Sequence, residues 1–156
     1  MSDPRSELPT ADQLQLRSLA ERYFFGVDHR RPQAVVSCFS DPCRFVINAG
    51  NVIELCCKED IQRTFSRPPL FIASNHTVSH HTVWSDEAGV AGVVYATAHV
   101  VVDAEDDRKI LVRGLRYDDR YAYDHGAWHI IEREHNPIWQ FEAIATALNL
   151  HDRRTE

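Results

Sequence analysis

The feature that most constrains this chain is a succession of four long β-rich segments filling its second half: "FIASNHTVSHHTVW", "AGVVYATAHVVVD", "KILVRGLRYDDRYAYD" and "AWHIIEREHNPIW". Only the polar breaks Ser85-Asp86, Glu105-Asp106-Asp107 and His125-Gly126 separate them, and turns that short join antiparallel neighbours. Helical patterns come before them. Helices first and strands afterwards describe an α+β domain with one antiparallel sheet, covered on one face by the helices. Long strands curl as they twist, so such a sheet wraps around its helices and leaves a cavity between them.

The helical half has its own punctuation. Thr10 is in N-cap position with Gln13 placed for a capping box, and Leu14, Leu16, Leu19, Ala20, Tyr23, Phe24 and Val27 follow at helical spacing, which predicts a first helix of about 17 residues. Pro32 opens a short second helix ending near Phe39. Asn48-Ala49-Gly50-Asn51 punctuates a hairpin. "KEDIQRTFSR" predicts a third helix, stopped by Pro68-Pro69. The expected organisation is a flexible lead-in over residues 1–9, a single domain over 10–142, and a C-terminal helix or tail over 143–156.

At 156 residues, 44% hydrophobic and 26% charged, the chain can bury a sizeable core without staples. Its net charge of -6 argues against nucleic acid as a partner. The longest uncharged stretch, Ala88 to Val102, is shorter than the roughly 20 residues a spanning helix needs, so no membrane span is expected. The first residues lack a basic and apolar signal pattern, and the four cysteines form no CxxC pair. A cytoplasmic protein with reduced thiols is expected.

Candidate chemistry sits on acids and histidines. Asp28 closes the first helix, where the dipole makes a negative charge unwelcome. Either Arg30 or Arg31 neutralises it at the surface, or it turns inward to hold a histidine from elsewhere. "SNHTVSHH" offers three, and strand alternation puts His76, Val78 and His80 on one face, with Asn75, Thr77, Ser79 and His81 on the other. In the next segment Tyr95, Thr97 and His99 share a face opposite Val94, Ala96, Ala98 and Val100. His80 and His81 point apart and no HxH or HExxH spacing occurs, so no metal site is expected. Nor is there a GxGxxG loop, a GxxxxGK loop or a GxSxG elbow.

The order of elements, together with "RYFFGVD", "SNHTV" and "DDRYAYDHGAWHIIER", resembles the SnoaL-like group of the cystatin-like cone fold over roughly residues 10 to 142. Within it the pattern is similar to the branch of scytalone dehydratase, bile-acid dehydratase and hexachlorocyclohexane dehydrochlorinase. That resemblance implies an Asp28–His76 pair, with Tyr23 and a second pocket histidine, His99, as further catalytic groups. Tyr123 stands where the dehydrochlorinase carries a pocket arginine, and Leu115 and Tyr117 where scytalone dehydratase has Ser and Asn.

The expected activity is therefore a cofactor-independent, dehydratase-like elimination. An imidazole titrates near neutrality and can take a carbon-bound proton, while a carboxylate behind it fixes the tautomer and stabilises the imidazolium. Phe24, Phe45, Val78, Tyr95, Tyr117 and Trp139 are the expected substrate-binding walls, alongside Ile47, Phe71 and Phe141. They imply a small hydrophobic or aromatic substrate. The competing readings are a non-catalytic ligand-binding or oxygenase accessory module of the same fold, and a ketosteroid-isomerase-like isomerase. A homodimer or homotrimer is expected, because sheet surfaces in this fold commonly pair.

Overall fold

The computed structural model describes residues 5–103 and 108–145. Helix α1 (Thr10–Asp28) buries Leu16, Leu19, Ala20, Tyr23 and Phe24 along one side. Thr10 is its first helical residue and no side chain caps the end, correcting the capping-box expectation. Gln13 instead donates to the Leu8 carbonyl at 2.7 Å. After Asp28 the chain reverses through Arg30, in the left-handed region at φ 52°, and the Arg31 amide returns to the Gly26 carbonyl at 2.8 Å. Pro32 then starts helix α2 (Pro32–Val36) at the first helical position, where its missing N–H costs no helix bond.

Strand β1 (Phe39–Ala49) turns through Gly50, at φ +82°, into β2 (Asn51–Leu55). Helix α3 (Lys58–Phe65) leads to four long strands: β3 (Ala73–Asp86), β4 (Gly89–Asp103), β5 (Arg108–Asp124) and β6 (Ala127–Ile144). They form one curved six-stranded sheet in the order β2-β1-β6-β5-β4-β3. Every pairing is antiparallel except β1 with β6. That parallel contact arises where the β1–β2 hairpin meets the last strand of the four-strand meander.

Ala143 and Ile144, expected in the C-terminal helix or tail, extend β6 opposite Ile110 and Lys109. The remainder expected there, from residue 146 on, lies outside the described residues. Within the lead-in, Ser6 and Ser85 exchange two backbone hydrogen bonds of 2.9 Å.

The core lies between the helices and the concave face of the sheet. Tyr23 stands at its centre, edge-on to Phe24, Phe39, Phe45, Phe65 and Tyr117 at centroid distances of 5.2 to 6.3 Å. A bulge between Val78 and His80 changes the side-chain alternation of β3. Beyond it His81 faces the core and bonds the buried Tyr121 hydroxyl at 3.2 Å, while His80 is exposed. The expected sharing of a face by His76, Val78 and His80 therefore fails at His80, because one extra residue reverses the parity of a period-two strand.

Candidate active site

One end of the cone encloses a cavity of about 460 Å³ between α1, the α1–α2 turn, residues 64–71 and the sheet. Tyr23, Phe45, Ile47, Phe71, Tyr117 and His76 all line it. Asp28 does not. It stands behind His76, where three donors meet its carboxylate: the His76 amide to Oδ2 at 2.8 Å, the Ser74 hydroxyl to Oδ1 at 2.7 Å, and His76 Nδ1–H to Oδ1 at 2.7 Å.

The side chains of His76 and Asp28 are only 10% and 11% exposed. These donors resolve the electrostatic problem at the helix end. Burial alone would raise the Asp28 carboxyl, but the bonds from His76 and Ser74 outweigh it and hold the group below its ordinary range. Because a carboxylate only accepts, Nδ1 carries the ring proton and Nε2 is left basic. Phe24 stacks on the imidazole at 5.1 Å with an interplanar angle of 16°, fixing the ring plane.

Tyr23 and Asp28 share this site without the early helix end that a common cavity position would require, since α1 runs through Asp28. Tyr23 lines the cavity and Asp28 reaches it through His76. Burial raises the Tyr23 phenol despite the opposing Arg133 charge, so it remains a hydrogen-bond donor. Arg133 lies over the Tyr23 and Tyr117 rings, 4.3 and 4.8 Å from their centroids. Its guanidinium is fully buried and donates twice to the equally buried Asp119, at 2.8 and 2.6 Å. Asp119 also accepts from Tyr121 at 2.8 Å, and Tyr121 meets His81. A buried polar chain thus supports the two phenols from beneath.

Several expected site residues lie elsewhere. His99 is on the opposite face of β4 from Ala98 and Val100, which line the cavity, so it is not a pocket histidine. Tyr95 shares that outward face. Trp139 and Phe141 are about half exposed and stack on each other at 6.2 Å; Trp139 covers Gly114 from outside the cone. Phe24 packs behind His76 and Val78 against the core, and neither borders the cavity.

Two lining residues were not singled out from the sequence. His135 lies on β6 with its ring centroid 5.1 Å from that of Tyr117, and its buried Nδ1 has no partner among the described residues. Burial, with the charges of Arg133 and Arg113, pushes its pKa down to about 4, so it is neutral at neutral pH. Arg113 lies on β5, and its Nε donates to Gln140 at 2.6 Å. A step of two reveals both positions: Arg113, Leu115 and Tyr117 share a face, as do Arg133 and His135.

A helix-covered cone with a carboxylate-backed imidazole on the wall of an apolar cavity defines the class: an α+β cone whose sheet and helices surround one cavity. Residues 9–134 match the SnoaL-like domain family, and the chain belongs to it. Among solved structures it is similar to a type 2 hexachlorocyclohexane dehydrochlorinase, with a TM-score of 0.74 and 13% identity over 93% of this chain and 96% of that one. It is also similar to a scytalone dehydratase candidate from Novosphingobium aromaticivorans, with a TM-score of 0.70 and 17% identity over 93% and 96%. A cystatin-like fold protein of unknown function from Nostoc punctiforme gives 0.64 and 17% over 85% and 96%. No curated protein sequence matches. Among the described residues no helix is long and apolar enough to cross a membrane.

Proposed function

We propose that this chain is a cofactor-independent lyase of the dehydratase type, acting in the cytoplasm on a small cyclic or aromatic substrate. The observation that carries this reading is the 2.7 Å contact between Asp28 and His76 on the wall of the cavity. Family membership and the fold shared with a dehydrochlorinase support the same class. His76 Nε2 removes a carbon-bound proton, and the C–H electron pair becomes the new double bond as the bond to the leaving oxygen breaks. The departing hydroxide takes one proton from solvent and leaves as water, and the imidazolium returns its proton to solvent, so no net proton is gained or lost.

Asp28 orients the ring and balances its transient charge. Tyr23, Tyr117 and the neutral His135 are donors on the wall for the oxygen on which charge develops. His99, turned to the outer face, takes no part. The aromatic stripe of Trp139 and Phe141 on the outer face supports a homodimer or homotrimer.

The test follows cyclic β-hydroxy ketones in deuterated water by NMR. Wild type is expected to promote exchange at the carbon next to the carbonyl and loss of water, and His76→Ala to slow both about 10²–10⁴-fold. Equal exchange in the two proteins removes His76 as the base.

A further inference from the structure

The cavity wall carries an unusual charge balance. Arg30, Arg31, Arg67 and Arg113 line it, and no acidic side chain does so among the described residues, although the chain as a whole has 23 acids against 17 bases. Elsewhere arginines pair with carboxylates, as Arg17 does with Glu21, Arg44 with Glu54, Arg116 with Asp118 and Arg133 with Asp119. The four at the cavity have no carboxylate within 4 Å among the described residues.

Their present contacts divide them by role. Arg30 donates to the Phe71 and Ile72 carbonyls at 2.8 and 2.7 Å, fastening the segment that roofs the cavity. Arg31 rests on the Phe25 ring at 5.3 Å. Arg67 is exposed beside the Pro68-Pro69 turn. Arg113 is half-buried on the sheet wall, where among the described residues its side chain bonds through Nε to the neutral Gln140 and its two terminal nitrogens meet no acceptor. Asp28, behind the wall at His76, is engaged by His76 and Ser74. A guanidinium fork beside an apolar cavity matches the planar geometry of a carboxylate or phosphate oxygen pair.

We propose that the substrate is anionic, with an apolar ring seated in the cavity and a carboxylate or phosphate held by Arg113, and with Arg31 and Arg67 raising the local concentration of anions at the mouth. The proposal deepens the lyase reading of the same cavity by assigning the charge of its substrate, but the binding it claims does not require His76 to be a base. Arg113 lies on β5 four residues before Tyr117, the partner of His135 on the neighbouring strand, and itself pairs with Gln140. The anionic group would therefore anchor the ligand at the sheet wall.

The test is titration calorimetry of the full chain with 2-naphthoate, 2-naphthyl phosphate and the neutral methyl 2-naphthoate. At least one anion is expected to bind ten-fold or more tightly than the ester, weakening with added salt, and whichever anion wins identifies the source of the charge. Arg113→Gln should abolish the preference while Arg113→Lys keeps part of it, with both variants first checked by circular dichroism for an unchanged melting profile. The titration reads binding and the deuterium exchange reads the base, so a failed base assignment and a failed anion site are distinguished. Equal affinity of ester and anions in the wild type, binding by none of the three at millimolar concentration, or a preference unchanged in Arg113→Gln overturns the proposal. If both Arg113 variants misfold, loss of the preference in Arg67→Gln combined with Arg31→Gln supports an anion site at the mouth, and its full retention there overturns the mouth contribution.

Discussion

Asp28 is separated from the cavity by the imidazole of His76 and the hydroxyl of Ser74, which both line it and both donate to its carboxylate. In the proposed elimination the carboxylate would act on tautomer and orientation rather than on substrate. Asp28→Asn keeps the shape but can present an amide N–H to Nδ1, which favours the tautomer with its proton on Nε2 and disables the base. Activity is expected to fall about 10³–10⁴-fold with little change in KM. Steady-state kinetics on the elimination substrate checks this, and a purely structural role for Asp28 would show up as a lowered melting temperature with near-normal turnover.

The same carboxylate should make the fold acid-sensitive in a defined window. Its folded pKa lies below the ordinary value of 3.8, so the unfolded chain binds the proton more readily. The stabilisation is complete above that ordinary value and is lost as pH falls through the lower folded one. Melting temperatures recorded from pH 5 to 2 should drop less steeply in Asp28→Asn than in the wild type.

A separate pH effect comes from His81 and His135, which burial drives from 6.5 to about 4. Between these values the unfolded chain takes up protons that the folded chain refuses. Their contribution is therefore present above pH 6.5 and shrinks as pH falls toward 4. Urea unfolding at pH 7.5, 6, 5 and 4 should show declining stability, flatter in His135→Gln and flatter still when His81→Gln is added.

How much of this was legible in the sequence depends on what each residue type reports. Pro32, Gly50 and the polar breaks after Ser85 and His125 mark backbone events, and those elements begin and end close to where the pattern predicts. Asp28 and His76 are recognisable together only through the family resemblance, and the fold brings them into contact. The bulge in β3 has no such marker: Ser79 is an ordinary strand residue, so the parity change that buries His81 and exposes His80 is not written locally. The resemblance implies a pocket histidine at His99, whereas Ala96 and Ala98 are the inward residues of β4 and strand alternation turns His99 to the other face. Arg133 reads as a surface charge, and only tertiary structure reveals its burial with Asp119.

That buried pair supplies a stability prediction. Removing Asp119 leaves the Arg133 guanidinium uncompensated in a site that is fully enclosed, and a broken buried pair costs about 3–5 kcal/mol. Asp119→Ala should lose that much in urea unfolding, whereas Asp119→Ala combined with Arg133→Met should recover part of it. The double variant should still show reduced activity, because Tyr23 and Tyr117 lose the cation over their rings.

Gly26 supplies the last prediction, and it opposes helix propensity. Within an exposed helix, replacing glycine by alanine favours folding by about 1 kcal/mol. Here a Cβ would lie 2.8 Å from Val35 Cγ2 and 2.9 Å from the Val35 amide nitrogen, so α2 itself would have to shift. Overpacking of that kind costs about 1–3 kcal/mol, which exceeds the propensity gain. Gly26→Ala is expected to lower stability, and Val35→Ala should not restore it, since the clash with the backbone nitrogen remains. The displacement would fall two residues from Asp28, so the loss of stability should be accompanied by slower turnover at unchanged solubility. A melting temperature equal to or above that of the wild type would show that α2 can move without cost.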